Sequence, residues 1–201
     1  MLLEYIVSKV IKKLRLRAIK NTILPKQSKI CSGTSVVDCS FGKYSDVGYD
    51  CVIVRTKLGS FVSIGSGCRI GGASHPMDWV STSPVFSAHP DHLRKKFAHH
   101  KFDPYIETEI GNDVWIGDGV FIKAGVKVGN GCVIGMGSVV TKNVPDYEIW
   151  AGNPAKKIKD RFPAEISKKL LKICWWNWED DAIEKAAELF NSVSDFVARY
   201  Y

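Results

Sequence analysis

The apolar positions of this chain fall into a six-residue rhythm. Isoleucine or valine stands at Ile110, Ile116, Ile122, Val128, Ile134 and Val140, and a small or short side chain follows four residues after each, at Val114, Val120, Val126, Cys132, Ser138 and Val144. Glycine comes directly after four of the large positions, at Gly111, Gly117, Gly129 and Gly135. A helix buries a face every ~3.6 residues and a strand every second one, so a sustained period of six fits neither. It fits a chain wound into flat-sided coils, one short strand and one corner per hexad, and so predicts a parallel β-helix. The same ladder runs earlier through Phe41, Val47 and Ile53. After a one-residue slip, of the kind a corner absorbs as a bulge, it resumes at Leu58, Ile64 and Ile70. Between Ile70 and Ile110 the hexads vanish, and residues 72–109 are polar, aromatic and rich in histidine. An insertion of that length in a compact domain points to function, because the coils would close without it.

The flanks have a different period. Residues 2–20 place Leu3, Ile6, Val10, Ile11 and Leu14 on one helical face with cations opposite, so residues 1–24 are expected to form a basic amphipathic helix. Two readings stand for it: a cap packed on the first coil, and a contact of residues 1–20 with an anionic membrane surface. The β-helix itself is expected over 35–145, with the insertion at 72–109. From Pro145 the chain changes character, and 146–201 is expected as a helical extension, with helical spacing at 164–173 and 180–199. Its expected packing positions are Leu170, Leu171, Ile183, Ala187, Leu189 and Phe190. The cluster Trp175, Trp176 and Trp178 is read as area buried against a coil or a neighbouring subunit.

Composition narrows the class. At 201 residues and 45% hydrophobic content the chain can bury one core with appendages. Of its six cysteines, Cys51, Cys68 and Cys132 fall in the small inward slot of the hexad, as does Cys39 if the frame extends back. That reads as buried thiols in a reducing cytoplasm rather than a disulfide framework. Cations interrupt any apolar run in residues 1–24, which excludes a signal peptide, and no stretch reaches transmembrane length. The expected location is therefore cytoplasmic, with peripheral contact at the inner membrane face as an extension of it. The net charge of +7 comes without an aromatic-basic platform, which argues against nucleic acid. His89, His92, His99 and His100 match no zinc-ligand spacing, and no metal is expected.

Three segments carry a resemblance. Ser74-His75-Pro76-Met77-Asp78-Trp79 opens the insertion, Gly111-Asn112-Asp113-Val114-Trp115-Ile116-Gly117 re-enters the coils, and Gly152-Asn153-Pro154-Ala155-Lys156 closes them, followed by Arg161-Phe162. Together with the hexads over roughly 35–180, these resemble the hexapeptide-repeat acyltransferases, in the branch of the type B chloramphenicol and streptogramin acetyltransferases. The resemblance implies a left-handed β-helix assembled as a homotrimer. The hand comes wholly from it, since strand crossovers in general are right-handed. It implies acetyl-CoA as cosubstrate, laid along the later coils between two subunits, and the motif histidine, here His75, as general base.

Acetyl transfer to a hydroxyl needs a base to take the proton of a poor nucleophile, and donors for the oxyanion. His75 sits where the coil gives way to the loop, with its backbone held and its ring able to face a cleft. Either Asp78 or a backbone carbonyl could orient it. For the cofactor, Gly117, Ala124, Gly135, Gly137 and Ser138 would allow a pantetheine arm close approach. Thr141, Lys142, Lys156 and Lys157 are placed for phosphates, and Trp115 for a wall. The coil corners need the glycines in any case. Acceptor contacts are expected from Asp78, Trp79, Tyr44 and Tyr49. Drug-modifying members start close to the first coil with tyrosine-rich early repeats, whereas this chain opens with a basic helix. The acceptor expected is therefore a sugar hydroxyl of a surface polysaccharide or its precursor. An antibiotic O-acetyltransferase and a non-catalytic trimeric scaffold are the alternatives.

Overall fold

The computed structural model describes residues 2–201, without the side chains at 12 and 13. Its centre is a three-faced parallel solenoid. The first face stacks Ala18–Lys20, Ser35–Val37, Val52–Val54, Arg69–Gly71, Phe121–Ile122 and Val139–Val140. The second stacks Ser40–Phe41, Thr56–Leu58, Thr108–Ile110 and Lys127–Val128, extended at its ends by single bridges at Ile23 and Val144. The third stacks Lys29–Ile30, Asp46–Val47, Ser63–Ile64, Trp115–Ile116, Val133–Ile134 and Glu148–Gly152, and ends on the antiparallel Ala155–Asp160. The chain visits the faces in that order and winds left-handed.

The hexad positions make the core. Ile53, Ile64, Ile70, Ile110, Ile116, Ile122, Val128, Ile134 and Val140 are all at most 3% exposed, and Cys51, Cys68 and Cys132 fill inward slots beside them. In-register pairing stacks like on like: Ile64 lies over Ile116 and Ile116 over Ile134. Burying an isoleucine side chain is worth about 2 kcal/mol, and each coil repeats it three times.

The solenoid is longer than its hexads. It begins at Ala18, because Ala18–Lys20 pairs with Ser35–Val37, and its last parallel strand ends at Gly152, so the expected limits of 35 and 145 are both too narrow. Ala18–Lys20 has a single neighbour and is exposed along its length, and Glu148–Gly152 lies beyond the last hexad, so neither end carries the repeat. The amino-terminal helix α1 is correspondingly short, Leu2–Leu14. It does not cap the coil: its described side chains are exposed along its whole length.

The carboxy-terminal helices α2 (Ala164–Ile173), α3 (Asp180–Ala186) and α4 (Val193–Tyr200) fold over the edge between the second and third faces. Trp175 and Trp176 are buried there, and Trp175 packs on Phe61 of that edge at 4.7 Å between ring centroids. Phe190 meets Trp175 at 4.9 Å and Phe196 at 4.9 Å. Leu170 is buried, but Ala186 rather than Ala187 is the buried alanine, because a 3-10 turn at Ala187–Leu189 breaks the helical phase.

Candidate active site

The insertion leaves at the edge between the first and second faces. Gly71 and Gly72 have φ values of 73° and 110°, and a Cβ at Gly71 would lie 2.1 Å from the Val54 carbonyl oxygen, so only glycine turns the chain outward there. The two arms of the loop are then stitched together: Ala73 bridges Tyr105, and the Ser74 N–H and hydroxyl both donate to the Pro104 carbonyl, at 2.7 and 2.9 Å. His75 is the first residue beyond this stitch.

Its ring is exposed, and its Nδ1 lies 2.9 Å from the Thr82 carbonyl oxygen. A carbonyl can only accept, so Nδ1 carries the hydrogen and Nε2 keeps its lone pair. The orienting group is thus backbone, seven residues on. Asp78 does not take that place. With Trp79 it lines a neighbouring cavity of about 570 Å³, together with Val80, Ser81, Phe86 and His100. Trp79 is wedged edge-on against His100 and Phe102, at 5.6 and 5.8 Å.

His75 faces a smaller cavity of about 210 Å³, walled by Pro76, Pro84, Pro90 and Pro104 and by His89, His92 and Tyr105. Lys96 fastens this wall. Its Nζ donates to the Pro84 carbonyl at 2.8 Å and the His89 carbonyl at 3.1 Å, and it pairs with Asp91. The Lys96 hydrogen bond holds the Asp91 carboxyl below the usual carboxylate range. His89 also packs edge-on against Tyr105 at 5.4 Å. Among the described residues, no group of three or more His, Cys, Asp or Glu is arranged to hold a metal ion.

The other expected site residues divide. Ala124, Thr141 and Lys142 follow first-face strands, on the edge from which the loop departs. Here the loop touches the coils: a Cβ at Gly125, whose φ is 81°, would lie 2.7 Å from Ile106 Cγ2. Gly117, Gly135 and Gly137 occupy the edge between the third and first faces, across the first face from His75. Coil stacking accounts for two of them, since a Cβ at Gly117 would meet Met136 N at 2.6 Å and one at Gly135 the Ala151 Cβ at 2.9 Å. Ser138 is fully buried: its hydroxyl donates to the Gly135 carbonyl at 2.6 Å and accepts from Gly152 N at 3.1 Å, so it serves the coil and not a ligand. Lys156 is exposed on the closing hairpin, while Lys157 is held by Glu148 and Asp160 at 2.8 Å each. Trp115 points outward from the third face and is 58% exposed, beside an open groove it shares with Phe61, Val133 and Arg161.

Tyr44 departs most from its expected role as an acceptor contact. It stacks on Phe61 at 5.2 Å, and its hydroxyl donates to Asp180 at 2.6 Å, docking α3 on the edge between second and third faces. Tyr49 sits in the turn between third and first faces, where its backbone N–H donates to the Ser66 hydroxyl. Of the two orienting groups expected for His75, Asp78 and a backbone carbonyl, the structure has the carbonyl, that of Thr82, and Lys96 joins the site unexpectedly. A backbone acceptor leaves no side-chain signal, and Lys96 stood in a basic run, Arg94-Lys95-Lys96, that reads as solvated.

Comparison with known proteins decides the family. Residues 107–142 match the model "Bacterial transferase hexapeptide (six repeats)". A chloramphenicol acetyltransferase of Agrobacterium fabrum is 39% identical over 163 residues, covering 80% of this chain and 76% of that protein. This chain belongs to the hexapeptide-repeat acetyltransferases. Another relative of this acetyltransferase, a probable macrolide acetyltransferase of Lysinibacillus sphaericus, is 38% identical and covers 72% of this chain and 81% of that one. Among solved structures, the N-acyltransferase AntD of Bacillus cereus, in complex with dTDP and 3-hydroxybutyryl-CoA, aligns with a TM-score of 0.54 at 20% identity, covering 84% of this chain and 95% of AntD. At that identity the likeness bears on the fold.

Proposed function

We propose that this acetyltransferase moves an acetyl group from acetyl-CoA to a sugar hydroxyl of a surface polysaccharide or its precursor, with His75 as general base. The observation that carries it is the hydrogen bond from His75 Nδ1 to the Thr82 carbonyl, which leaves the Nε2 lone pair free on a ring that lines the cavity. Nε2 takes the acceptor's hydroxyl proton as the oxygen attacks the thioester carbonyl. The imidazolium so formed keeps its Nδ1–H···O bond to Thr82. When the tetrahedral intermediate collapses, the C–S bond breaks and the coenzyme A thiolate leaves, taking up the proton His75 received.

The cavity supports a small hydroxylated acceptor. At about 210 Å³ it lies below the usual range for drug-sized ligands, roughly 300–1,000 Å³. Prolines offer surface to the C–H face of a sugar ring, and His89, His92 and Tyr105 offer hydrogen bonds to its edge. The second reading, an antibiotic acceptor, is favoured by the names of the relatives.

For acetyl-CoA the expected contacts lie on two edges of one chain. The first–second edge, with Ala124, Thr141 and Lys142, and the third–first edge, with Gly117 and Gly137, cannot face one pantetheine arm across the intervening face. A groove between two copies brings the first edge of one against the second edge of the other, which supports a homotrimer.

Thiol release from acetyl-CoA, measured against sugars, nucleotide sugars and chloramphenicol, tests both acceptor readings. With the responsive acceptor, His75→Ala should lower turnover by about 10²–10⁴. Full turnover in a folded His75→Ala variant removes the base, and response to chloramphenicol alone removes the sugar.

A further inference from the structure

We infer that α1 is an interfacial anchor that lays the enzyme on an anionic phospholipid surface, an interaction separate from the chemistry at His75. Three observations converge on it. First, the apolar face of the helix has nothing against it within the chain: Leu3, Ile6, Val7, Val10, Ile11 and Leu14 are all between 46% and 74% exposed. At 3.6 residues per turn these six aliphatics cover an uninterrupted arc of about 140°. Second, the charge is concentrated there. Residues 1–20 carry six cations against Glu4, or +5 of the chain's +7, and Lys9 falls outside the aliphatic arc. Third, the root of the helix is fixed while the helix stands clear. Arg15 pairs with Asp50 at 2.6 Å, and Arg17 donates to the Ile30 carbonyl at 3.3 Å, so the first coil holds the chain just past Leu14.

A helix of 13 residues is marginal in water on its own, so its order needs a partner for that apolar face. A broad aliphatic arc backed by lysines suits the boundary between acyl chains and phosphate headgroups, where the aliphatics enter the membrane and the cations meet phosphate. A second copy of the chain is the other conceivable occupant. Leu3, Val7, Val10 and Leu14 do keep a heptad seam, but they span less than two heptads where a coiled coil sustains three or four, and Ile6 and Ile11 widen the face beyond a seam. No helix among the described residues is long and apolar enough to cross a membrane, so the contact is one of lying on the surface.

The test is co-sedimentation of the full chain with vesicles of mixed phosphatidylglycerol and phosphatidylcholine, and with phosphatidylcholine alone. The chain should partition onto the anionic vesicles and lose binding as salt rises. The triple variant Lys9→Gln, Lys12→Gln, Lys13→Gln should bind roughly 100-fold more weakly. The double variant Val7→Glu, Val10→Glu should lose vesicle binding while keeping its sedimentation mass and its thiol release with a soluble acceptor. Absence of binding by the wild-type chain overturns the inference, as does undiminished binding of the Val7→Glu, Val10→Glu variant. A change of mass in that variant also overturns it and assigns the face to a second copy. Loss of thiol release in the His75→Ala variant with vesicle binding intact would leave the two interactions independent, as inferred.

Discussion

At the scale of the residue, the site depends on which nitrogen of one ring carries a proton. The Thr82 carbonyl decides this for His75, and Thr82 is in turn held by its neighbours: Ser83 N–H donates to the Ser81 hydroxyl, and Lys96 fixes the Pro84 carbonyl. On the proposed role of His75, Lys96 acts as a positioning residue. Lys96→Met should lower kcat about tenfold, since it frees three acceptors at once and loosens the base. The KM for acetyl-CoA should stay unchanged, because Thr141 and Lys142 are not part of this network. Lys96→Arg, which keeps the charge beside Asp91, should recover part of the loss. Steady-state kinetics on the three proteins check this, and a KM that rises as kcat holds would reduce Lys96 to a structural role. The residue scale was the least legible in the sequence. His75 stood out by its motif and its place at the end of a coil, whereas Tyr44 and Ser138 were read as ligand contacts and are engaged in bonds within the chain, and Asp78 lines the neighbouring cavity instead of orienting His75. The Tyr44 and Ser138 hydroxyls were equally suited to a structural bond, and only their neighbours determine which use each has.

At the scale of the element, a half-buried ion pair ties the start of the helical tail to the coils, in addition to the Tyr44–Asp180 bond and the Trp175–Phe61 contact. Arg161 donates to Asp113 at 2.8 Å and to the Gly131 carbonyl at 2.9 Å, and lies over the Tyr147 and Phe162 rings. Burial raises the Asp113 carboxyl above its ordinary range even though Arg161 pulls it down. A carboxyl whose folded pKa exceeds its unfolded one costs stability once ionised, and that cost fades as pH falls and the proton returns. Arg161→Met removes the offsetting charge, so it should destabilise the protein by about 2 kcal/mol at neutral pH, allowing for partial exposure of the pair. The deficit should shrink as pH drops into the carboxylate range. Thermal unfolding at neutral and acid pH measures both, and a deficit that does not vary with pH would show that lost packing on the rings dominates. The tail was half legible. The tryptophans were read correctly as buried area and α2 appeared at its own spacing, but the helical spacing read over 180–199 runs straight through the 3-10 turn at Ala187–Leu189 and does not mark it.

At the scale of the whole molecule, the chain presents an outward Trp115 and Phe121, each at least half exposed, and the proposed cofactor contacts lie on two separate edges. Sedimentation at micromolar concentration should give the mass of three chains, and an interface variant such as Trp115→Glu should lower both the mass and the rate of thiol release. A monomer with full activity would place the whole cofactor site on one chain and contradict the shared groove. The exposed α1 belongs to this scale too. Its amphipathic pattern was plain in the sequence, yet the same pattern serves a coil cap, a subunit contact and a membrane surface.

The hexads by themselves determined the parallel coils, their inward aliphatics and buried thiols, and the place where the coils are interrupted. That is because each buried position in a solenoid is set by its own local frame, and each strand stacks on its like. The coil limits at Ala18 and Gly152, the Thr82 carbonyl behind His75, the Lys96 clasp, the docking of Tyr44 on Asp180 and the exposure of α1 were decided by tertiary structure. These depend on backbone atoms or on partners distant in the chain, and periodicity in residue type carries no record of either.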